Sequence, residues 1–115
     1  MKPSVTIRPD SWVILQLPNN EYKVFASWLG SYVDAESWRI NSGITSVESD
    51  ENYYYFYGYS GSCYQCNRKT YNRNMSTYIT GVLNKILKAG EGKLILLPDA
   101  QDWEKKINNK NKTKL

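Results

Sequence analysis

The sequence predicts an α+β fold: a four- to five-stranded, mainly antiparallel sheet packed on one main helix at about residues 75–89. Three observations carry that prediction. Runs rich in β-branched and aromatic residues, separated by Pro, Gly, Asn and Asp, fill the first half of the chain, and such runs suit pleated, half-buried surfaces. The apolar period then changes to that of a helix between Met75 and Ala89. With 115 residues, 41% apolar and 23% charged, the chain has the size and composition of one globular domain.

Met1 to Ser11, with Pro3, Pro9 and Asp10, reads as a leader holding a short strand at Val5 to Ile7. Trp12 to Leu17 is a strand by its length and β-branched content, and it stops at Pro18. Pro18-Asn-Asn-Glu is turn chemistry, and Tyr22 to Leu29 returns to complete a hairpin. Gly30 to Ser37 is a polar loop. Trp38 to Val47 reads as one further strand with Gly43 as a candidate bulge. After the acidic turn Glu48 to Asn52 comes Tyr53 to Cys66, which holds six of the ten tyrosines and both cysteines within 14 residues. Cys63 to Asn74 is polar and reads as irregular.

Ile79, Val82, Leu83, Ile86 and Leu87 recur at the spacing of one helix face. Asn74 or Ser76 suits the start of that helix, Lys85 and Lys88 suit its C-terminal end, and Gly90 stops it. Lys93 to Leu97 reads as a strand buried on both faces. A short helix then opens at Pro98-Asp99, with Asp99 as cap, and ends near Asn108. Residues 1–108 form a single domain, and 109–115 are predicted to be a disordered lysine-rich tail.

The net charge of +4 belongs to the end of the chain. Residues 1–103 carry 10 bases and 10 acids, whereas 104–115 carry five lysines and one glutamate. There is no histidine, which removes the commonest general base and metal ligand, and no catalytic motif stands in the sequence; the expectation is a non-enzyme without a cofactor. Cys63-Tyr-Gln-Cys66 has the spacing of a redox or zinc motif. No helical pattern follows it, and one chain cannot supply four zinc ligands of the usual kind, so structural, reduced cysteines are the favoured reading, with a redox role or a metal shared between subunits as the alternative. Gly58-Tyr-Ser-Gly-Ser matches neither a nucleophile elbow nor a phosphate loop. Asp34, Glu36, Glu48, Asp50 and Glu51 read as solvated loop acids.

Strand alternation puts Tyr53, Tyr55, Tyr57 and Tyr59 on one face and Tyr54, Phe56 and Gly58 on the other, with Phe56 the best core candidate. The tyrosines either wall a small sheet or form a contact surface for a protein, a second copy of the chain, or nucleobases. As a contact surface, Tyr53, Tyr55, Tyr57 and Tyr59 carry the binding, with Tyr64, Arg68, Lys69 and Arg73 at its edge. A protein partner is the first reading, with a homodimer through this strand as one form of it. Single-stranded nucleic acid, stacked on the rings with the basic tail on its phosphates, is the alternative. No apolar run reaches membrane-spanning length, and the N-terminus lacks a signal-peptide core, so no membrane role and a cytoplasmic location are expected.

The segment Ser37-Trp38-Arg-Ile-Asn-Ser-Gly-Ile44, an acidic turn, and Tyr55-Phe-Tyr-Gly-Tyr-Ser-Gly-Ser-Cys-Tyr64 together resemble a pattern in small accessory proteins of phages and prophages. The resemblance covers roughly residues 12–72. It implies a protein that works inside a bacterial host by binding and inhibiting a host factor, such as restriction or CRISPR machinery, and it transfers no catalytic residue. A near-neutral body does not suit a DNA mimic, so an inhibitor of this kind would act through a shaped aromatic surface.

Overall fold

The β-branched and aromatic runs up to residue 67 fold as seven strands, and the computed structural model describes residues 5–29, 37–100 and 102–113. The strands are β1 (Val5–Ile7), β2 (Ser11–Gln16), β3 (Tyr22–Trp28), β4 (Ser37–Ile40), β5 (Ile44–Ser49), β6 (Tyr53–Gly58) and β7 (Ser62–Asn67). They are followed by helix α1 (Thr77–Ala89), strand β8 (Ile95–Leu96) and helix α2 (Trp103–Thr113). The fold is α+β as the sequence predicts, with the strands shared between two four-stranded sheets: β1-β7-β6-β5 and β4-β3-β2-β8. Every pairing is antiparallel except β1 on β7.

The two sheets face each other across the main core. Trp12 and Ile14 of β2 with Tyr22, Val24 and Ala26 of β3 meet Val47, Tyr54, Phe56, Tyr64 and Cys66 of the first sheet. The opposite face of the second sheet offers Val13, Leu15 and Phe25, which pack against Ile79 and Leu83 of α1 in a second cluster. β2 is thus buried on both faces, and its unbroken apolar run is explained by that position. The predicted apolar stripe of α1 covers the sheet. The Ser76 hydroxyl accepts from Ile79 N–H at 3.1 Å, and the Gly90 N–H donates to the Ile86 and Leu87 carbonyls.

The run Trp38 to Val47 is two strands in different sheets, which corrects the single bulged strand. Asn41 prolongs the β3–β4 ladder with its side chain, whose amide oxygen accepts from Val24 N–H at 2.8 Å. Gly43 then turns the chain at φ +124°, where a Cβ would lie 2.8 Å from the Tyr59 ring. Only glycine meets both constraints, so it marks the corner between the sheets. The register shift of the β5–β6 ladder falls just after it, between Ile44 and Ser46.

Four more expectations change. Residues 62–67 form β7, an interior strand of the first sheet, rather than irregular chain. β8 is only two residues long and lies at a sheet edge with Ile95 half exposed, so it is not a strand buried on both faces. Asp102 rather than Asp99 caps α2, its carboxylate accepting from Lys105 N–H, while Asp99 accepts from the Trp103 indole N–H. The backbone of α2 runs from Trp103 to Thr113, past the end near Asn108 that the sequence suggests. Of the expected loop Gly30 to Ser37, Ser37 opens β4, and residues 30–36, with Asp34 and Glu36, lie outside the described residues, as do the first four residues, residue 101 and the last two.

α2 closes one side of the sandwich. Trp103 and Ile107 are buried in the main core, and the Asn108 amide both accepts from Val47 N–H and donates to Val47 C=O. The Ser49 hydroxyl donates to Glu104. These contacts cover the free edge of β5 and pair its Val47 backbone groups, where an open edge would be a template for strand pairing.

Trp12, fully buried between the sheets, is expected to cost about 3–5 kcal/mol on replacement by alanine, read as a lowered denaturation midpoint. Gly81 sits mid-helix with open space where a Cβ would stand. Gly81→Ala is expected to raise stability by about 0.5–1 kcal/mol in the same assay.

Candidate binding face

β6 alternates strictly because its two faces meet different surroundings. Tyr54 and Phe56 point into the core, at 3% and 0% exposure, and Phe56 is the core residue the sequence predicts. Tyr53, Tyr55 and Tyr57 point outward and are partly exposed. Their cross-strand neighbours on this outer face are Asn67, Gln65 and Cys63 of β7, with Glu48 of β5 beside Tyr55 and Ser46 beside Tyr57. Tyr53 and Tyr55 lie with ring centroids 6.3 Å apart.

Each of the two inner rows ties its phenol to a carboxylate. The Tyr55 hydroxyl donates to Asp50 and the Tyr57 hydroxyl to Glu48, both at 2.6 Å. Asp50 also accepts from the backbone N–H groups of Asn52 and Tyr53 at 2.8 Å, an Asx-type turn that fixes the carboxylate before β6 begins. The bond from Tyr55, then those two N–H groups, hold the Asp50 carboxyl below its ordinary value. Tyr55 is raised by the same bond, and Tyr57 is pushed up to about 12, chiefly by its bond to Glu48.

Tyr59 falls just beyond β6. Its ring lies over Gly43 and is 63% exposed, so it marks the corner of the sheet rather than a fourth rung of the ladder. Tyr64 departs further from expectation. It is 2% exposed, on the core face of β7 opposite Phe56, and cannot stand at the edge of a contact surface. Burial pushes its phenol up, while the nearby Arg39 guanidinium opposes that shift.

The bases gather at one end of the face. Arg68 and Lys69 belong to a 3-10 turn, Arg68–Thr70, that directly follows β7. With Glu51, Asn52, Tyr53 and Asn67 they line a surface cavity of about 280 Å³. An adjoining cavity of about 320 Å³ is lined by Arg68, Lys69, Tyr71, Arg73 and Asp99. Arg68 is less free than the sequence suggests, because its guanidinium lies 4.4 Å from the Tyr54 ring centroid. The structure therefore brings Tyr53, Tyr55 and Tyr57 together with Arg68 and Lys69, adds Arg73 around the corner, and leaves Tyr64 out. Glu48 and Asp50, read from sequence as plain loop acids, belong to the face. Their spacing before the tyrosine run was the only signal, since Asp50 starts the turn and Glu48 pairs in register with Tyr55.

Cys63 and Cys66 are three residues apart on one strand, so they project to opposite faces and cannot form a local redox pair. Both are free and buried, and burial is the main cause that raises both thiols. Among the described residues no cluster of three or more acidic or cysteine side chains could hold a metal, and no helix is long and apolar enough to cross a membrane. Comparison of the chain with protein-family models, curated proteins and solved structures finds no match.

A phenol raised from 10.0 to about 12 stays protonated in the folded chain where the unfolded chain has begun to lose its proton. The contribution is complete below the ordinary phenol value and is lost as pH rises from about 10 to 12. Absorbance titration of the folded protein is expected to show Tyr57 and the partly buried Tyr71 ionising last. Tyr57→Phe should remove one of those late phenols and leave the other. Ionisation of Tyr57 with the bulk of the tyrosines would mean that its bond to Glu48 does not form in solution.

Proposed function

We propose that this chain is a non-enzymatic protein-binding module whose contact surface is the outer face of β6, centred on Tyr53, Tyr55 and Tyr57. The observation that carries the reading is the pair of phenol–carboxylate bonds that hold Tyr55 and Tyr57 on an open sheet face. Tethered rings present a large amphipathic area that loses little side-chain freedom on binding, and that saving appears as affinity. The flanking Arg68 and Lys69 add charged groups at the rim, where they steer and orient a partner. The phage-like sequence pattern makes a bacterial host factor, including restriction or CRISPR machinery, the partner class to test first. A cytoplasmic site of action goes with that context.

Glu48 and Asp50 favour a protein over a nucleic acid. They place two carboxylates among the rings on which bases would have to stack, and phosphates would be repelled there. The lysine-rich end of the chain keeps single-stranded nucleic acid as the second reading.

The test is capture from a nuclease-treated bacterial lysate at low and moderate salt, comparing the wild type with the Tyr55→Ala, Tyr57→Ala double variant. A stoichiometric protein retained by the wild type and lost by the variant is the expected result. Each ring at the centre of such a face contributes about 2 kcal/mol, so the pair should lower affinity by more than a hundredfold. Circular dichroism of the variant should still show a folded chain, because neither ring belongs to the core. Capture that disappears with nuclease or moderate salt would promote the nucleic-acid reading instead.

A further inference from the structure

Among the described residues the sandwich is covered unequally on its two sides. α2 plugs the side where β5 ends the first sheet, while the side bounded by β1 and β4 has no such cover among the described residues. There a cleft of about 470 Å³ opens between the sheets, lined by Ile7, Arg8, Trp28, Ser37, Trp38 and Arg39. This volume lies in the range of small-molecule sites. The cleft shares no residue with the tyrosine face or the basic cavities.

Its lining is chemically specific. Two arginines contribute to it and, among the described residues, no carboxylate does. Arg8 directly follows β1, and Arg39 comes from β4, where it faces the buried Tyr64 hydroxyl. The Trp28 indole N–H donates to the Arg8 carbonyl at 2.9 Å, which fixes the ring and leaves its apolar surface at the cleft. The Trp38 ring is stacked at 5.7 Å on Phe25, which the second sheet turns toward α1, so it takes no part in the apolar wall of the cleft. Guanidinium forks match the geometry of carboxylates and phosphates, and a fixed indole with an isoleucine offers a flat apolar wall.

From this we infer that the β1–β4 cleft is a binding site for an oxyanion attached to a flat apolar ring, a class that includes aryl phosphates, aryl carboxylates and nucleoside monophosphates. Arg8 and Arg39 take the oxyanion, and Trp28 and Ile7 take the ring.

Calorimetric titration of the full chain with phenyl phosphate, phenylacetate and AMP tests this, with inorganic phosphate as the ringless control. Saturable binding of at least one ring-bearing anion, tighter than inorganic phosphate and weakened by added salt, is the expected result. The three probes distinguish a phosphate from a carboxylate source and a simple aryl ring from a nucleobase. Arg8→Gln should weaken the bound probe by about tenfold, the scale of one charge-assisted hydrogen bond. It should leave the thermal midpoint close to wild type, because only the Arg8 backbone holds Trp28. Failure of all three probes to bind would overturn the inference, as would undiminished binding by a folded Arg8→Gln variant. Inorganic phosphate binding as tightly as the ring-bearing anions would overturn the role of Trp28 and Ile7.

Discussion

Trp12 is the group on which the rest of the arrangement depends. It lies on β2, fully buried, and its indole N–H donates to the Asn67 carbonyl of β7 at 2.7 Å, which joins one sheet to the other. Around it stand Tyr71, Phe56, Tyr54 and Trp103, with ring centroids 4.8, 5.3, 5.9 and 6.4 Å away. Such tilted and edge-on pairs add about 0.5–1.5 kcal/mol each beyond simple burial. Tyr71 extends the network to the residue after β8, accepting from Ile14 N–H and donating to Leu97 C=O. One side chain thus touches both sheets and α2.

That packing decides the opposite face as well. Once Tyr54 and Phe56 are committed to Trp12, a strand period of two leaves Tyr53, Tyr55 and Tyr57 no direction but outward. An exposed row of phenols on a flat sheet would be mobile and sticky. Here Asp50 and Glu48 hold two of the hydroxyls, and the acidic turn that carries Asp50 also sets where β6 begins. The candidate site is the outer consequence of an inner constraint.

Much of this was readable in the residues. The α+β class, the 12–29 hairpin, the α1 face with its serine cap and glycine stop, and the alternation of β6 all follow from local period and turn chemistry. What misled was also local. Ser62 to Asn67 looks polar and irregular, yet Tyr64 and Cys66 alternate with Gln65 and Asn67 as an interior strand requires. Reading that stretch as a loop put Tyr64 on the surface, whereas it is buried. Trp38 to Val47 keeps a strand-like composition straight through the point where the chain changes sheets, because the corner needs only Asn41 and Gly43.

The sequence by itself determined which residues can share a face, since side-chain direction along a strand or helix is a property of the backbone period. It also determined where the chain must turn, through residues such as Gly43, Ser76 and Gly90 that tolerate or cap special backbone. Only the tertiary structure decided how many sheets there are, which side of each is inside, and which edges are covered. Those outcomes rest on contacts between residues far apart in the chain: Trp12 with Asn67, Val47 with Asn108, Arg39 with Tyr64. No local pattern encodes them, because each depends on the three-dimensional meeting of surfaces that a period of 2 or 3.6 leaves undetermined.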